Sequence, residues 1–190
     1  MKLLFYCTKE KEIWGDGSGN TWWGIAPDED IDLVFELNPT LTRLNGKIVA
    51  ECEIDKVEEI ILNGDETELK FGTKSNDCIE EQACLNFDEL EQYFGYKNEK
   101  WGYALYLKNL KVFNTPFPIN TYLAKVADDP RKSTILRKAP QNMCYCYDIF
   151  GEKHILISIR PEHLCKILNG EKTIEIRKKI LKELKKEISE

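Results

Sequence analysis

The sequence predicts an α+β fold in which strands dominate, a mixed sheet with flanking short helices. Three observations lead there. Apolar and polar residues alternate with period two in GKIVAECEIDKVEEII (46–61), HILISIR (154–160) and TIEIRK (173–178), the pattern of half-buried strands. The helical stretches are short and bracketed by capping residues. Hydrophobic residues make up 42% and charged residues 32% of 190 positions, enough for one core in one domain.

Taken in order, KLLFYCT (2–8) reads as a short strand. The loop EIWGDGSGNTWWG (12–24) is polar and glycine-rich, but no lysine-serine/threonine pair closes it into a phosphate loop. Asp28, Glu29, Asp30 and Asp32 lack calcium-loop spacing and read as a solvated acidic turn. IDLVFEL (31–37) reads as a strand. In the 46–61 strand, Ile48, Ala50, Cys52 and Ile54 share a face, and a polar loop containing Gly64 follows over 62–77. Residues 79–94 read as helical, with Asn86 as N-cap, Glu89 completing a capping box and Gly95 as the stop. WGYALYLKNLKVF (101–113) is aromatic and β-branched, a strand bent at Asn109. A mixed segment with Pro116 and Pro118 leads to a strand in QNMCYCYDIF (141–150).

The last quarter has the sharpest pattern. Ile155, Ile157 and Ile159 share one face of a strand, Leu156, Ser158 and Arg160 the other. Pro161 opens the helix PEHLCKIL, which Asn169-Gly170 closes. Ile174 and Ile176 then oppose Thr173, Glu175 and Arg177 on a second strand. The tail KKILKELKKEISE is an amphipathic helix striped by Ile180, Leu181, Leu184 and Ile188. There is no internal repeat.

Net charge is -6, which argues against a large nonspecific nucleic-acid binder. Residues 151–190 hold 10 basic and 7 acidic side chains, a local balance of +3 against -9 elsewhere, so polyanion contact favours this quarter. No apolar run approaches the roughly 20 residues of a membrane-spanning helix, and MKLLFYCTKEKE is too short in apolar residues for a signal peptide. A cytoplasmic protein with no membrane contact is expected. Seven irregularly spaced cysteines argue for free thiols in a reducing compartment. Cys144-x-Cys146 and His163-x-Cys165 offer four zinc-type donors, yet their apolar surroundings suit cysteine packed as a small hydrophobe. Neither a metal nor a cofactor is expected.

Gly170-Glu171-Lys172-Thr173-Ile174-Glu175-Ile176-Arg177 matches the GxKxxExR signature of ASCH domains, PUA-like β-barrels associated with RNA. The surrounding ILISIRPEHLCKILNGEKTIEIRK resembles the opening of small phage-type ASCH proteins. LLFYCTK (3–9), LNGKIVAECEIDKV (44–57), the stretch from CLNFDELEQYFG through YALYLKNLKVF, and APQNMCYCY (139–147) resemble their later parts. Asn142 and Met143 stand where that family's last strand usually carries Ser-Trp, so an aromatic pocket wall is missing or is supplied by Trp22 or Trp23. The signature here follows the segments it precedes in the family. The resemblance therefore implies a circularly permuted PUA-like mixed β-barrel over residues 1–190. The family's strand-helix-strand unit would be at 154–177, a helical tail at 178–190, and the old ends joined through about 148–153. GEKTIEIR is expected to pair with KLLFYCT inside a closed or nearly closed barrel. Closure within one chain gives a monomer; closure between chains gives a segment-swapped homodimer.

Glu175 and Arg177 share a strand face, and Lys172 at the strand's open end can swing its stem the same way. Two cations and a carboxylate suit a phosphate and a base edge, or acid-base chemistry about a desolvated lysine. Spacing alone equally describes a solvated sheet face whose ion pairs are worth under about 1 kcal/mol. The resemblance implies the cleft: Lys172, Glu175 and Arg177 facing solvent in one site, joined by Ser158 or Arg160, with Gln141 and the stacking rings of Trp22 and Trp23 as further ligand contacts. The implied function is recognition of RNA or a nucleotide-like small molecule. The alternative is a small hydrolase, an acetylcytidine amidohydrolase or ribonuclease, with Lys172 and Glu175 catalytic. The amidohydrolase branch has a threonine three residues after its lysine, where this chain has Glu175, and a distant glutamate matched only loosely by Glu80 or Glu81.

Overall fold

The computed structural model describes residues 1–8, 46–63, 70–71, 79–95, 100–126 and 129–187. The expected strand at 31–37, the acidic turn, the 12–24 loop, Trp22 and Trp23 lie outside these. The described residues form a mixed α+β fold: nine strands, four short α-helices and one 3-10 turn (Ile119–Thr121). They group into two units, each built from two stretches of chain: 1–52 with 110–165, and 53–109 with 166–190.

In the first unit the strands are β1 (Lys2–Cys7), the start of β2 (Lys47–Asn63), the end of β4 (Lys100–Pro118), β5 (Leu123–Val126), β6 (Asp129–Ile135), β7 (Met143–Tyr147) and β8 (Lys153–Ile159). Their hydrogen-bonded order is β6-β5-β7-β8-β1-β2. β1 and β8 pair in parallel, from Lys2 opposite His154 to Cys7 opposite Ile159. Period two predicts one dry and one wet face for HILISIR. Instead every residue from His154 to Ile159 is buried, as is every residue from Leu3 to Cys7. A central parallel pair is covered on both faces, and its sequence tolerates little polarity on either. Leu4, Tyr6, Ile48, Cys146 and Leu156 form the core on one side, with Phe113 and Tyr122 packed against it. The 141–150 strand is trimmed to β7 and turns back through Asp148–Glu152. The Gly151 N–H donates to the Asp148 carbonyl at 3.1 Å and Gly151 takes φ 85, the left-handed residue of a short hairpin.

The second unit holds the rest of β2, the two-residue β3 (Lys70–Phe71) paired with it, the start of β4, and β9 (Ile174–Arg177). Here the order is β2-β4-β9. The expected helix over 79–94 is two helices, α1 (Ile79–Ala83) and α2 (Phe87–Phe94). The break follows from local chemistry. Cys84 takes a left-handed φ of 51, and Asn86 starts afresh with a complete capping box, its Oδ1 accepting the Glu89 N–H at 2.9 Å. α3 (Pro161–Leu168) has the expected bounds, whereas the tail, expected helical over 178–190, is not helical at 178–181; its helix α4 runs Lys182–Glu187, and 188–190 lie outside the described residues. The core joins Ile60, Leu62, Ile79, Ala83, Leu90, Ala104, Tyr106, Ile174 and Ile176. β4 runs without a break through Asn109, which takes φ 53 at the position where a bend is expected.

Two expectations on strand pairing change. GEKTIEIR pairs with β4, not with β1, whose neighbours are β8 and β2. The pairing among the described strands also runs open from β6 to β9, so the sheet is not closed into a barrel. Strand parity indicates which residues share a face, but it does not name the partner strand.

Candidate functional site

The signature residues come together where α1 ends. α1 closes with a Schellman pattern, the Cys84 N–H donating to the Glu81 carbonyl and the Leu85 N–H to the Glu80 carbonyl, both at 3.1 Å. Three carbonyls then remain to be satisfied at this end. The Thr173 N–H donates to Gln82 O at 2.9 Å, Lys172 Nζ to Ala83 O at 2.8 Å, and Lys166 Nζ to Cys84 O at 3.4 Å. Two lysines at a helix C-terminus also suit the partial negative charge there.

From that anchor Lys172 Nζ lies 3.3 Å from Glu175 Oε2, and Arg177 Nη2 lies 2.9 Å from Glu175 Oε1. Two cations thus converge on one carboxylate. The register sets Leu105 opposite Glu175 and Tyr103 opposite Arg177, so these four share a face of the β4–β9 ribbon while Ile174 and Ile176 take the core side. Here the structure differs from a solvent-accessible cleft. Lys172 is 3% exposed and Glu175 7%, and only 12% of the Arg177 side chain meets solvent. Lys172 does not turn outward from the strand's open end; its stem runs to the end of α1, where a helix carbonyl compensates the loss of water. Tyr93 of α2 is held above the ordinary phenol range by burial, with the Arg177 charge opposing that rise. Lys178 Nζ stands 5.0 Å over the Tyr93 ring, and burial pulls its ammonium below the ordinary lysine value.

Ser158, Gln141 and Arg160 belong to the first unit. Ser158 is buried and donates from Oγ to Pro140 O at 2.6 Å, while its N–H donates to Asn142 O at 3.2 Å. Ser158 thereby fixes the bend that carries Gln141, which is exposed. Arg160 is partly exposed, with Nη1 3.6 Å from Glu162 Oε1. Glu80 and Glu81 stand in the first turn of α1, Glu80 with a buried Oε1. Cys144, Cys146, His163 and Cys165 do not assemble into a metal-ligating group; the group that forms among the described residues is Asp148, Glu152 and His154. Sequence reading missed it, because its signal is only a D-x3-E-x-H spacing across a hairpin.

No family model, curated protein or solved structure matches the chain.

Proposed function

We propose that this chain is an ASCH-type binding protein that recognises a nucleotide, free or within single-stranded RNA, through the face of β9 that carries Glu175 and Arg177. The observation that carries the reading is the convergence of Lys172 and Arg177 on the single carboxylate of Glu175 in a largely desolvated setting. Charges removed from water interact strongly, and two cations about one carboxylate favour an anionic group such as a phosphate. Arg177 is the member nearest solvent, and its guanidinium offers a fork for phosphate oxygens. Glu175 is an acceptor for an exocyclic amine.

The same geometry favours binding over hydrolysis. A lysine nucleophile or base needs a free, reachable amine, whereas Lys172 is buried and its Nζ is committed to Ala83 O. Lys172 accordingly positions Glu175.

Calorimetric titration of wild type, Arg177→Ala and Glu175→Gln with cytidine monophosphate, acetylcytidine and short single-stranded RNA tests this. Wild type should bind at least one nucleotide ligand, and Arg177→Ala should weaken it by about 1–3 kcal/mol. The salt slope on RNA should be shallow, about 0.7 for each of two or three phosphates. Unchanged affinity in Arg177→Ala overturns the reading, as does turnover of acetylcytidine that depends on Lys172.

A further inference from the structure

The β7–β8 hairpin brings three metal-type donors together, far in sequence from β9. Asp148 directly follows β7, Glu152 precedes β8, and His154 is the second residue of β8. One ligand atom from each lies within 4.8 Å of the others. The turn holds Asp148 in place: its Oδ1 accepts the Phe150 N–H at 2.9 Å and the Glu152 N–H at 2.8 Å, leaving Oδ2 directed at His154.

His154 is the informative member. It is 6% exposed, and its Nδ1 is buried without a hydrogen-bond partner. Its Nε2 stands 3.6 Å from Asp148 Oδ2, longer than a hydrogen bond. Nε2, the ring nitrogen that faces the carboxylate, is therefore the donor available to an ion, while Nδ1 points away from it. Two donors about 2.1 Å from a shared ion in tetrahedral geometry lie about 3.4 Å apart, close to that gap. The Tyr122 ring meets His154 edge-on at 5.9 Å, fixing the plane of the imidazole. Glu152 is exposed and closes the third side from solvent.

We infer that Asp148, Glu152 and His154 form a site for a divalent first-row transition ion, Zn²⁺ being the reference, with three protein ligands and a further position open to water. One imidazole and two carboxylates exclude a soft thiolate-type ion. Calcium, which takes 6–8 oxygen ligands, is poorly served by three donors that include a nitrogen.

The test is titration of the full chain, first stripped with chelator, with Co²⁺ followed by its visible d–d absorption and with Zn²⁺ by equilibrium dialysis. The wild type should take up one equivalent without a thiolate-to-cobalt charge-transfer band. Glu152→Gln, at an exposed position that leaves the fold intact, should weaken binding about tenfold or more. His154→Gln should abolish it, and if that variant does not fold, Glu152→Gln alone decides. Failure of the wild type to bind, a thiolate band, or unchanged affinity in Glu152→Gln overturns the assignment.

Discussion

Lys172 donates from Nζ to the backbone carbonyl of Ala83 at 2.8 Å, joining the start of β9 to the last turn of α1 across 89 positions of sequence. This bond explains why a lysine stands two residues before a strand whose own residues are apolar or paired. The ammonium satisfies a helix-end carbonyl, and its remaining charge faces Glu175.

Lys172→Ala should therefore destabilise the protein by about 2 kcal/mol, the scale of a lost hydrogen bond to a charged group. Lys172→Arg should recover little, because a planar fork does not replace a compact ammonium at one carbonyl. Urea denaturation read by tryptophan fluorescence and far-UV dichroism checks both. A midpoint unchanged in Lys172→Ala would mean that the bond contributes nothing net.

Gly102→Ala should be destabilising by about 1–3 kcal/mol, as over-packing usually is. A methyl at this position meets the ring of Phe94 and lies 2.9 Å from the Arg177 carbonyl. The ring can move, but the strand backbone cannot. Gly102→Ala combined with Phe94→Leu should recover only part of the loss in the same assay.

Asn109 holds a left-handed φ of 53 and donates from Nδ2 to Glu53 Oε2 at 2.9 Å. Asn109→Gly should stay within about 0.5 kcal/mol of wild type, because the exposed side-chain bond is worth little and glycine adopts this φ freely. Asn109→Val should cost about 1–2 kcal/mol, the strain of a branched residue in that region. Equal midpoints for the two variants would remove the backbone argument.

Cys7 and Cys146 are fully buried, and burial pushes each thiol up to about 12 from the ordinary 9.0. A raised folded value favours the neutral form in the native state. The associated stability is complete below pH 9 and is lost as pH climbs toward 12. Iodoacetamide at pH 8 should label the half-buried Cys84 and Cys165 well before Cys7 and Cys146, as mass spectrometry of the digest will show. The urea midpoint should fall above pH 9. Early labelling of Cys146 would contradict its burial.

What the sequence determined about this protein is what neighbours in the chain decide. The Asn86 capping box, the Pro161 start of α3 and the parity of Ile174 and Ile176 all follow from a few adjacent residues. The grouping of Lys172, Glu175 and Arg177 was legible for the same reason, since six residues of chain hold them together. Tertiary structure alone decided that β9 pairs with β4, that both faces of β8 are covered, and that Lys172 spends its charge on the end of α1. It also decided that a turn would carry Asp148 and Glu152 to His154. Each of these depends on residues tens of positions away or on the path of a turn, and period-two alternation has the same form whichever strand becomes the partner and whatever covers the second face.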